Sequence, residues 1–319
     1  MLSVFGKHLA SDPLQFGFKQ NSSYSHALFT LRTVIDYYIK NGSTVNICAL
    51  DISKAFDKVD HFALFNLLMD RHLPKCFIAV LIEWLSKCFA CVRWNGVYSN
   101  WFLISAGVRQ GGILSPTLFS IYMDPLIANL RQLGLGCQIH GCFYGCLIYA
   151  DDILLVSQSV NAIRRMLAIC DDFAVNFDVK FNSTKSVAMR IGKRFQTQCA
   201  PLILAGLPLK HVDTVKYLGV HLVAATKWKL SVEHLKLRFY RAFNCIYARC
   251  SATSSELITF TVQLLKSFCL PFILYASEAV SLSTNNIRSL DNCINRALYK
   301  IFGVNQDVCE QRYFIHWSE

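Results

Sequence analysis

The chain has 319 residues, of which 53% are hydrophobic, so it can bury a large core and is long enough for more than one domain. Its 32 basic side chains outnumber the 21 acidic ones, and the resulting formal charge of +11 favours a polyanionic partner. No uninterrupted apolar run approaches about 18 residues, and the N-terminus lacks the apolar core of a signal peptide. We therefore expect no membrane segment and no secretion, and a nuclear or cytoplasmic location.

The first strong element is a buried strand predicted at residues 45–50. It ends at Asp51, where an apolar strand meets solvent, and such strand ends are common places for a site in a sheet protein. A helix is predicted next at 62–69. We interpret Asp57 and Asp60 as the start of that helix and as part of its solvated face.

The middle of the chain carries an apolar helix and a glycine-rich turn. Residues 74–89 are apolar on most sides and predict a buried helix, and a short hairpin is predicted around 93–96. Gly111 and Gly112 permit close approach of the backbone to a ligand, and a helix is predicted from there to Met123. The competing interpretation of the two glycines is a plain turn into that helix.

Two adjacent carboxylates, Asp151 and Asp152, stand between the apolar runs 146–148 and 153–156. This pattern predicts a strand, a tight turn and a second strand, with the acids at the tip. Buried strands beside two anions are unfavourable without a cation, and Mg²⁺ takes carboxylate oxygens while keeping positions open for substrate phosphates. Together with Asp51, the pair could hold two Mg²⁺ ions about 3.5–4 Å apart for phosphoryl transfer. The alternative for an isolated Asp-Asp pair is an ordinary hairpin tip.

The remaining elements are predicted to be helical. An amphipathic helix at 162–173 would back the sheet that carries the aspartates, and beyond Thr226 the pattern is helical to the end. Six basic residues in that last part are accompanied only by the acidic Glu233: they are Lys227, Lys229, Lys236, Arg238, Arg241 and Arg249. A basic stripe facing a phosphate backbone and an ordinary solvated helix face are equally supported interpretations.

The 14 cysteines are scattered along the chain. Cys88 and Cys91 form one Cys-x-x-Cys without a second pair nearby, and a looser cluster consists of Cys137, His140, Cys142 and Cys146. That cluster lies on the turn and strand leading into the predicted hairpin, where small buried thiols suit packing. We therefore favour packing and free thiols over a zinc site.

Seven short motifs, in order, resemble those of the reverse transcriptases of non-LTR (LINE-type) retrotransposons. They lie at residues 15–19, at Asp51 with 54–57, and at 107–116, 149–152, 181–186, 217–219 and 270–278. Each motif is weak alone, but seven in the expected order make a strong assignment. The resemblance extends over most of the chain.

This resemblance implies an α+β fold, the right-hand polymerase with fingers, palm and thumb, in which helices back an antiparallel palm sheet and the thumb is helical. The implied domains are partial fingers at 1–44, a palm at 45–61 and 107–222, fingers helices at 62–106 and a partial helical thumb at 226–319. LINE-type proteins usually carry further fingers residues and an endonuclease upstream. We therefore expect an N-terminally truncated copy of such an element.

The resemblance also implies the residues of the catalytic centre. Asp51, Asp151 and Asp152 would be catalytic carboxylates and metal ligands, and the carbonyl of Ile52 would be a further ligand. Lys185 would act as general acid toward pyrophosphate or would neutralise its charge. The alternative for Lys185 is a solvated lysine at a strand edge.

Substrate contacts follow from the same resemblance. Phe56 would be the steric gate that rejects a 2′-hydroxyl group, because a ring packed against C2′ leaves no room for an oxygen; the alternative is a core phenylalanine. Contacts beneath the templating base pair and the incoming nucleotide would come from Gln110, Gly111 and Gly112. Contacts with primer and template would come from Tyr149, Tyr217, Leu218 and Gly219.

The implied function is an RNA-directed DNA polymerase that adds deoxynucleoside triphosphates to a primer 3′-hydroxyl with two Mg²⁺ ions, for which Mn²⁺ could substitute. Its partners would be an RNA template and a DNA primer, recognised by shape and backbone rather than by sequence. One alternative is a catalytically weak remnant that at most binds nucleic acid. Another is a group II intron maturase, which shares the Tyr-Ala-Asp-Asp arrangement, although residues 274–278 favour the retrotransposon side.

Overall fold

The structure, a computed structural model, describes residues 5–250 and 255–303. Contacts divide the chain into two units, each with its own core. The first unit runs up to Leu218 and includes Val223–Lys229, and the second comprises Gly219–Leu222 and the residues from Leu230 onward.

The described helices and strands follow in chain order. The α-helices are α1 (Tyr24–Lys40), α2 (His61–Asp70), α3 (Lys75–Ser86), α4 (Ser115–Gln132), α5 (Val160–Asn176), α6 (Glu233–Cys250), α7 (Ser255–Leu264), α8 (Leu270–Leu274) and α9 (Thr284–Phe302). A 3-10 helix covers Ala55–Lys58, and a π-helical stretch covers Leu265–Cys269. The strands are β1 (Val45–Leu50), β2 (Phe89–Ala90), β3 (Arg93–Trp94), β4 (Val97–Tyr98), β5 (Phe102–Leu103), β6 (Gln138–Ile139), β7 (Cys142–Phe143), β8 (Cys146–Tyr149), β9 (Asp152–Ser157), β10 (Val187–Ile191), β11 (Ile203–Leu204), β12 (Leu207–Pro208), β13 (Lys210–His211), β14 (Thr214–Tyr217), β15 (Val220–Val223) and β16 (Leu230–Ser231).

A five-stranded sheet with the order β13-β10-β1-β9-β8 forms the centre of the first unit. Its neighbours pair antiparallel, except that the short β13 runs parallel to β10. All of β9 after Asp152 is buried. A strand buried on both faces reads as a continuous apolar run rather than as alternation, which explains the sequence Ile-Leu-Leu-Val.

Two helices pack against this sheet. Helix α1 contacts β8, and α5 contacts β1 and β9. The predicted amphipathic face of α5 is confirmed: the buried residues of this helix are Ala162, Ile163, Met166, Leu167, Cys170 and Phe173. Ser159 caps α5, because its side chain accepts a hydrogen bond from the backbone of Ala162.

The helices before residue 110 match the sequence only in part. Asp60 caps α2 by accepting the Ala63 N–H at 2.6 Å, as expected of a helix start. The prediction of a helix buried on most sides at 74–89 was wrong: α3 ends at Ser86 and buries one face only. Val80 and Ile82 on its other face are exposed, so apolar content alone overstated its burial.

The second unit consists mainly of helices around one apolar cluster. Its buried members come from the start of α6 to α9: Val232, Leu235, Phe239, Phe243, Leu265, Cys269, Ile273, Leu290, Cys293 and Ala297. Of the predicted basic stripe, Lys227 and Lys229 precede α6 and belong to the first unit, whereas Arg238, Arg241 and Arg249 are exposed on α6. Lys236 pairs with Glu233 at 2.7 Å and donates to Ser289 at 3.2 Å. The Arg238 guanidinium lies over the ring of Phe272.

One helical stretch of the described residues, Glu256–Leu274, is long and apolar enough to cross a membrane by length and composition alone. Three of its residues, Leu265, Cys269 and Ile273, belong to the buried cluster of the second unit. The core helix of a soluble protein meets the same criterion, so this is a weak indication. The absence of a membrane partner stays a prediction.

Candidate active site

The predicted hairpin is formed by β8 and β9, with Tyr149 opposite Asp152. The turn is made by Ala150, which is buried and has a left-handed φ of +57°, and by Asp151. Both aspartate side chains are exposed at the tip. The hairpin at the β8 edge of the sheet thus projects two neighbouring carboxylates toward solvent.

The register of β1 brings Asp51 to this tip. Leu50 lies opposite Ile153, so the next pair along the two strands places Asp51 beside Asp152. The Asp51 N–H donates to the Ser186 Oγ at 3.0 Å, and its carbonyl accepts from the Asn182 N–H at 2.8 Å. The backbone at Asp51 is therefore fixed on its other side by the segment that leads into β10.

The carboxylates repel one another. The pKa of Asp152 is raised, first because neighbouring protein atoms reduce its hydration and then by the negative charges of Asp151 and Asp51, while Lys216 opposes the shift. The Lys185 Nζ lies 4.0 Å from the Asp51 Oδ2, and the lysine side chain is largely exposed. Ile52 is buried and bridges to Phe181 next to Asp51.

A divalent cation fits the chemistry of these donors. Asp51, Asp151 and Asp152 offer hard carboxylate oxygens whose mutual repulsion a cation would relieve. Over residues 5–250 and 255–303, no three His, Cys, Asp or Glu side chains converge closely enough to hold a metal ion as they stand. Three anions that repel one another have no reason to converge without a counter-charge.

The ring of Phe56 lies on the 3-10 helix that follows Asp51. It stacks on Phe119 with centroids 4.6 Å apart and meets the edge of Phe18 at 6.0 Å. The ring is only partly buried, so one part of it faces solvent near the strand end. This placement is compatible with either interpretation of Phe56, the gate or the core residue.

The glycine-rich segment runs beside that 3-10 helix. The Val108 N–H donates to the Phe56 carbonyl at 2.7 Å, and the Gln110 Nε2 donates to the Asp57 carboxylate at 3.2 Å. Gly111 has φ +82° and open space where a Cβ would stand, whereas a Cβ on Gly112 would lie 2.7 Å from the Ser115 Oγ. Helix α4 begins at Ser115 and continues beyond the predicted end at Met123 to Gln132.

The residues predicted to contact the primer include a buried side chain. The ring of Tyr217 is only 3% exposed, and burial together with Asp152 and Cys146 raises its pKa. Its hydroxyl has no hydrogen-bond partner among the described atoms. The Tyr217 side chain therefore supports the sheet from inside, and only a change of conformation would bring its ring to nucleic acid. Leu218 and Gly219 follow with left-handed φ angles of +45° and +79°.

Residues 4–222 match the family described as reverse transcriptase (RNA-dependent DNA polymerase). That match covers more than half of the chain. The chain belongs to the reverse transcriptase family. The resemblance to reverse transcriptases that the sequence showed is thereby confirmed.

The curated relatives of this chain come from retrotransposable elements. A Pol polyprotein from a type-2 retrotransposable element of Drosophila melanogaster is 26% identical over 67% of the chain and 21% of its own length. A Pol polyprotein from a type-1 element of Popillia japonica is 24% identical over 89% of the chain and 47% of its length. The RNA-directed DNA polymerase of the mobile element jockey from Drosophila funebris is 25% identical over 86% of the chain and 31% of its own length. The chain thus spans less than half of each of these relatives.

Solved structures show the same fold. The structure of telomerase from Candida albicans with a fragment of telomeric RNA superposes on the chain with a TM-score of 0.56 at 13% sequence identity. The matched region covers 98% of this chain and 55% of the telomerase chain. Apo telomerase from Candida tropicalis gives a TM-score of 0.54 at 12% sequence identity, over 94% of this chain and 54% of the telomerase chain. The chain therefore has the right-hand polymerase fold of mixed helix and sheet.

Sequence reasoning missed two features of the candidate site. Ser186 is fully buried and fixes the backbone of Asp51. The sequence analysis included it in the motif at 181–186 but predicted no role for it. A pocket of about 1430 Å³ lies along residues 109–114 and is also lined by Phe18, Lys19 and Trp84. The exposed Trp84 carried no signal in the sequence, because α3 looked buried on most sides.

Proposed function

We propose that this chain is the polymerase core of a non-LTR retrotransposon, which extends a primer 3′-hydroxyl along an RNA template with deoxynucleoside triphosphates as part of retrotransposition. The observation that carries the proposal is the register of β1, β9 and β8, which brings Asp51 beside Asp151 and Asp152. The family match supports RNA-directed DNA synthesis as the reaction. The proposed location is nuclear or cytoplasmic.

Divalent metal ions complete the proposed centre. Asp51, Asp151, Asp152 and the carbonyl of Ile52 would hold them. Bound Mg²⁺, or Mn²⁺ in its place, supplies activation of the attacking hydroxyl and stabilisation of the pyrophosphate leaving group. The raised pKa of Asp152 supports this assignment, because a cation would stabilise the ionised form that burial, and then the charges of Asp151 and Asp51, disfavour.

The chain's own side chains have distinct proposed tasks. Lys185, close to Asp51, neutralises or protonates the departing pyrophosphate. Phe56 occupies the space beside the sugar C2′ and so excludes a ribose hydroxyl. Gln110, Gly111 and Gly112 approach the templating base pair through a backbone that carries little side-chain bulk.

Nucleic acid is the proposed macromolecular partner. The net charge of +11 favours a polyanion, and the exposed Arg241 and Arg249 on α6 supply positive charge in the proposed thumb. Tyr149 and residues 217–219 are proposed to contact primer and template. Because the Tyr217 ring is buried, contact from this segment would come through its backbone.

The test is primer extension on an RNA template with Mg²⁺ and deoxynucleoside triphosphates. Wild-type chain should extend the primer, and Asp151→Ala should lose extension by a factor of about 10³ or more while keeping the fold. Asp172→Ala, at an exposed position on α5, is the matched control and should leave extension unchanged. A well-folded wild type that never extends, with either Mg²⁺ or Mn²⁺, would leave a nucleic-acid-binding remnant as the better description.

A further inference from the structure

The free edge of the catalytic hairpin is covered by a segment far away in sequence. The Phe16 N–H donates to the Ile148 carbonyl at 2.8 Å, and the Ile148 N–H donates to the Leu14 carbonyl at 2.9 Å. Gln15 thereby lies parallel to β8, beside the strand that ends in the two aspartates. This places the side chain of Gln15 within reach of the turn.

Gln15 is fully buried, and its amide binds the turn residue. Its Oε1 accepts from the Ala150 N–H at 3.0 Å and from the Gly17 N–H at 3.1 Å, and its Nε2 lies 3.5 Å from the Ala150 carbonyl. Two N–H groups converge on one atom of the amide, which must therefore be the oxygen. The donation from Nε2 is long and hence the weakest of the three contacts.

The turn needs such a partner. Ala150 has φ +57°, a left-handed conformation that side chains other than glycine, asparagine and aspartate adopt rarely and that persists only where surroundings enforce it. It is buried, so its N–H cannot turn to water, and Gln15 supplies the acceptor. A Cβ on Gly17 would lie 2.6 Å from the Ala150 N, so the covering segment approaches the turn as closely as the backbone allows.

We propose that Gln15 is a positioning residue of the polymerase centre, which holds the left-handed turn at Ala150 and thereby fixes the directions of Asp151 and Asp152. The inference rests on the proposed function for its catalytic consequence, but not for the contact itself. Gln15 is fully buried and so offers no surface to a substrate. It acts through the backbone of one residue, and the aspartates follow directly after that residue.

The contact is tested by hydrogen exchange in the absence of substrate. Gln15→Met keeps an unbranched side chain of similar length and removes both hydrogen-bonding groups. The Ala150 amide should then exchange about tenfold faster or more, while the Ile148 amide, which is bonded to the Leu14 backbone, stays protected. Gln15→Glu keeps an acceptor for the Ala150 N–H and should retain most of the protection. If Gln15→Met does not fold, exchange of the Ala150 amide in Gln15→Glu still tests the contact.

Asn46 offers a matched control at the far end of the same hairpin. It is a buried amide on β1, and its Nδ2 donates to the Ser157 carbonyl at 3.1 Å, at the end of β9 opposite to Asp152. Asn46→Leu likewise replaces a buried amide that is bonded to the hairpin backbone. It should leave exchange at Ala150 unchanged.

The catalytic consequence is tested by single-nucleotide addition. Gln15→Met should lower kcat by about 10- to 100-fold, because small misplacements of catalytic groups have effects of that size. KM for the nucleotide and Kd for the primer–template should stay within about twofold, since the fully buried Gln15 offers no surface to either ligand. Asn46→Leu should change kcat by less than about threefold, which separates positioning from general loss of stability.

Each outcome decides a different point. Equal effects of Gln15→Met and Asn46→Leu, or a kcat that does not change in Gln15→Met, would overturn the positioning role. Unchanged exchange at Ala150 would overturn the contact itself. A wild type without polymerase activity would instead count against the proposed function, and the exchange measurement would still decide whether Gln15 holds the turn.

Discussion

Single residues allow the parts of the site to approach one another closely. Gly107 has φ +92°, and a Cβ there would lie 2.9 Å from three backbone atoms of Asp57. Its N–H donates to the Val59 carbonyl at 2.8 Å, so the glycine-rich segment docks directly on the 3-10 helix that carries Phe56. A glycine is required at this position both by its φ angle and by the contact.

Gly107→Ala should therefore destabilise the first unit by about 2–3 kcal/mol, through strain at positive φ and displacement of the Asp57 backbone. Gly96→Ala is the control: its φ is +81°, but nothing lies within 4 Å of the added Cβ, so only about 1 kcal/mol should be lost. Chemical denaturation of both variants measures the difference. Equal losses would show that the close approach at Gly107 contributes nothing.

The assignment of Phe56 makes a second prediction at this scale. Phe56→Val removes ring atoms from the space beside C2′ and should reduce the preference for deoxynucleotides over ribonucleotides by about 10- to 100-fold, the size expected of a steric contact. Competing single-nucleotide additions measure the ratio of kcat/KM values. Phe62→Val, at a ring that is 74% exposed, should leave this ratio unaltered. An unaltered ratio in Phe56→Val as well would make Phe56 a core residue that packs on Phe119.

Elements of the first unit are joined by a partly buried charge network around Asp124. The Asp124 carboxylate on α4 binds the Arg71 guanidinium and accepts the Asp12 N–H at 3.0 Å. Arg71 also donates to the Ala10 carbonyl at 2.6 Å, and Arg131 pairs with Asp12 at 2.7 Å. The segment before Gln15 is thus fastened to the end of α2 and to α4, which holds the covering strand of the hairpin in place.

Arg71→Met tests this attachment through the pH dependence of the stability that the variant loses. The pKa of Asp124 is raised by burial, although Arg71 and the Asp12 N–H oppose the shift, and losing Arg71 should raise it further. A folded-state pKa above the unfolded value means that stability falls as pH rises between the two values. We expect a loss of about 3 kcal/mol at pH 8 and a smaller loss at pH 5, measured by denaturant unfolding.

Arg131→Met is the comparison for that experiment, because the Arg131 side chain is 44% exposed and its pair with Asp12 is better solvated. It should lose about 1 kcal/mol or less. A deficit of the Arg71 variant that is independent of pH would show that packing of the arginine stem, rather than its pairing with Asp124, stabilises the joint.

Local sequence patterns predicted the helices and strands of the site, but they did not predict its long-range contacts. The strand before Asp51, the hairpin at Asp151 and the cap at Asp60 follow from apolar runs and from residue types within a few positions. The bond from Gln15 to Ala150 joins residues 135 positions apart, and no local pattern encodes it. The one-sided burial of α3 was also missed, because an exposed apolar face has the same composition as one that packs on a core.

At the scale of the molecule, each unit has its own apolar core. Phe173 on α5 is buried in the first unit, and Phe239 on α6 is fully buried in the apolar cluster of the second. The sheet with the aspartates draws its residues from the first unit only. Since most stability comes from apolar burial within a cooperative core, the two units are expected to open separately.

Paired core substitutions test this independence. Phe239→Ala should cost about 3–5 kcal/mol and should speed hydrogen exchange in α6 and α9, with exchange in β1 and β9 unaffected. Phe173→Ala should do the reverse, because its ring supports the helix that packs on those two strands. Exchange that accelerates everywhere in both variants would mean that the chain opens as a single cooperative body. In that case the stability of the carboxylate-bearing strands would depend on both cores, despite their position in the first unit.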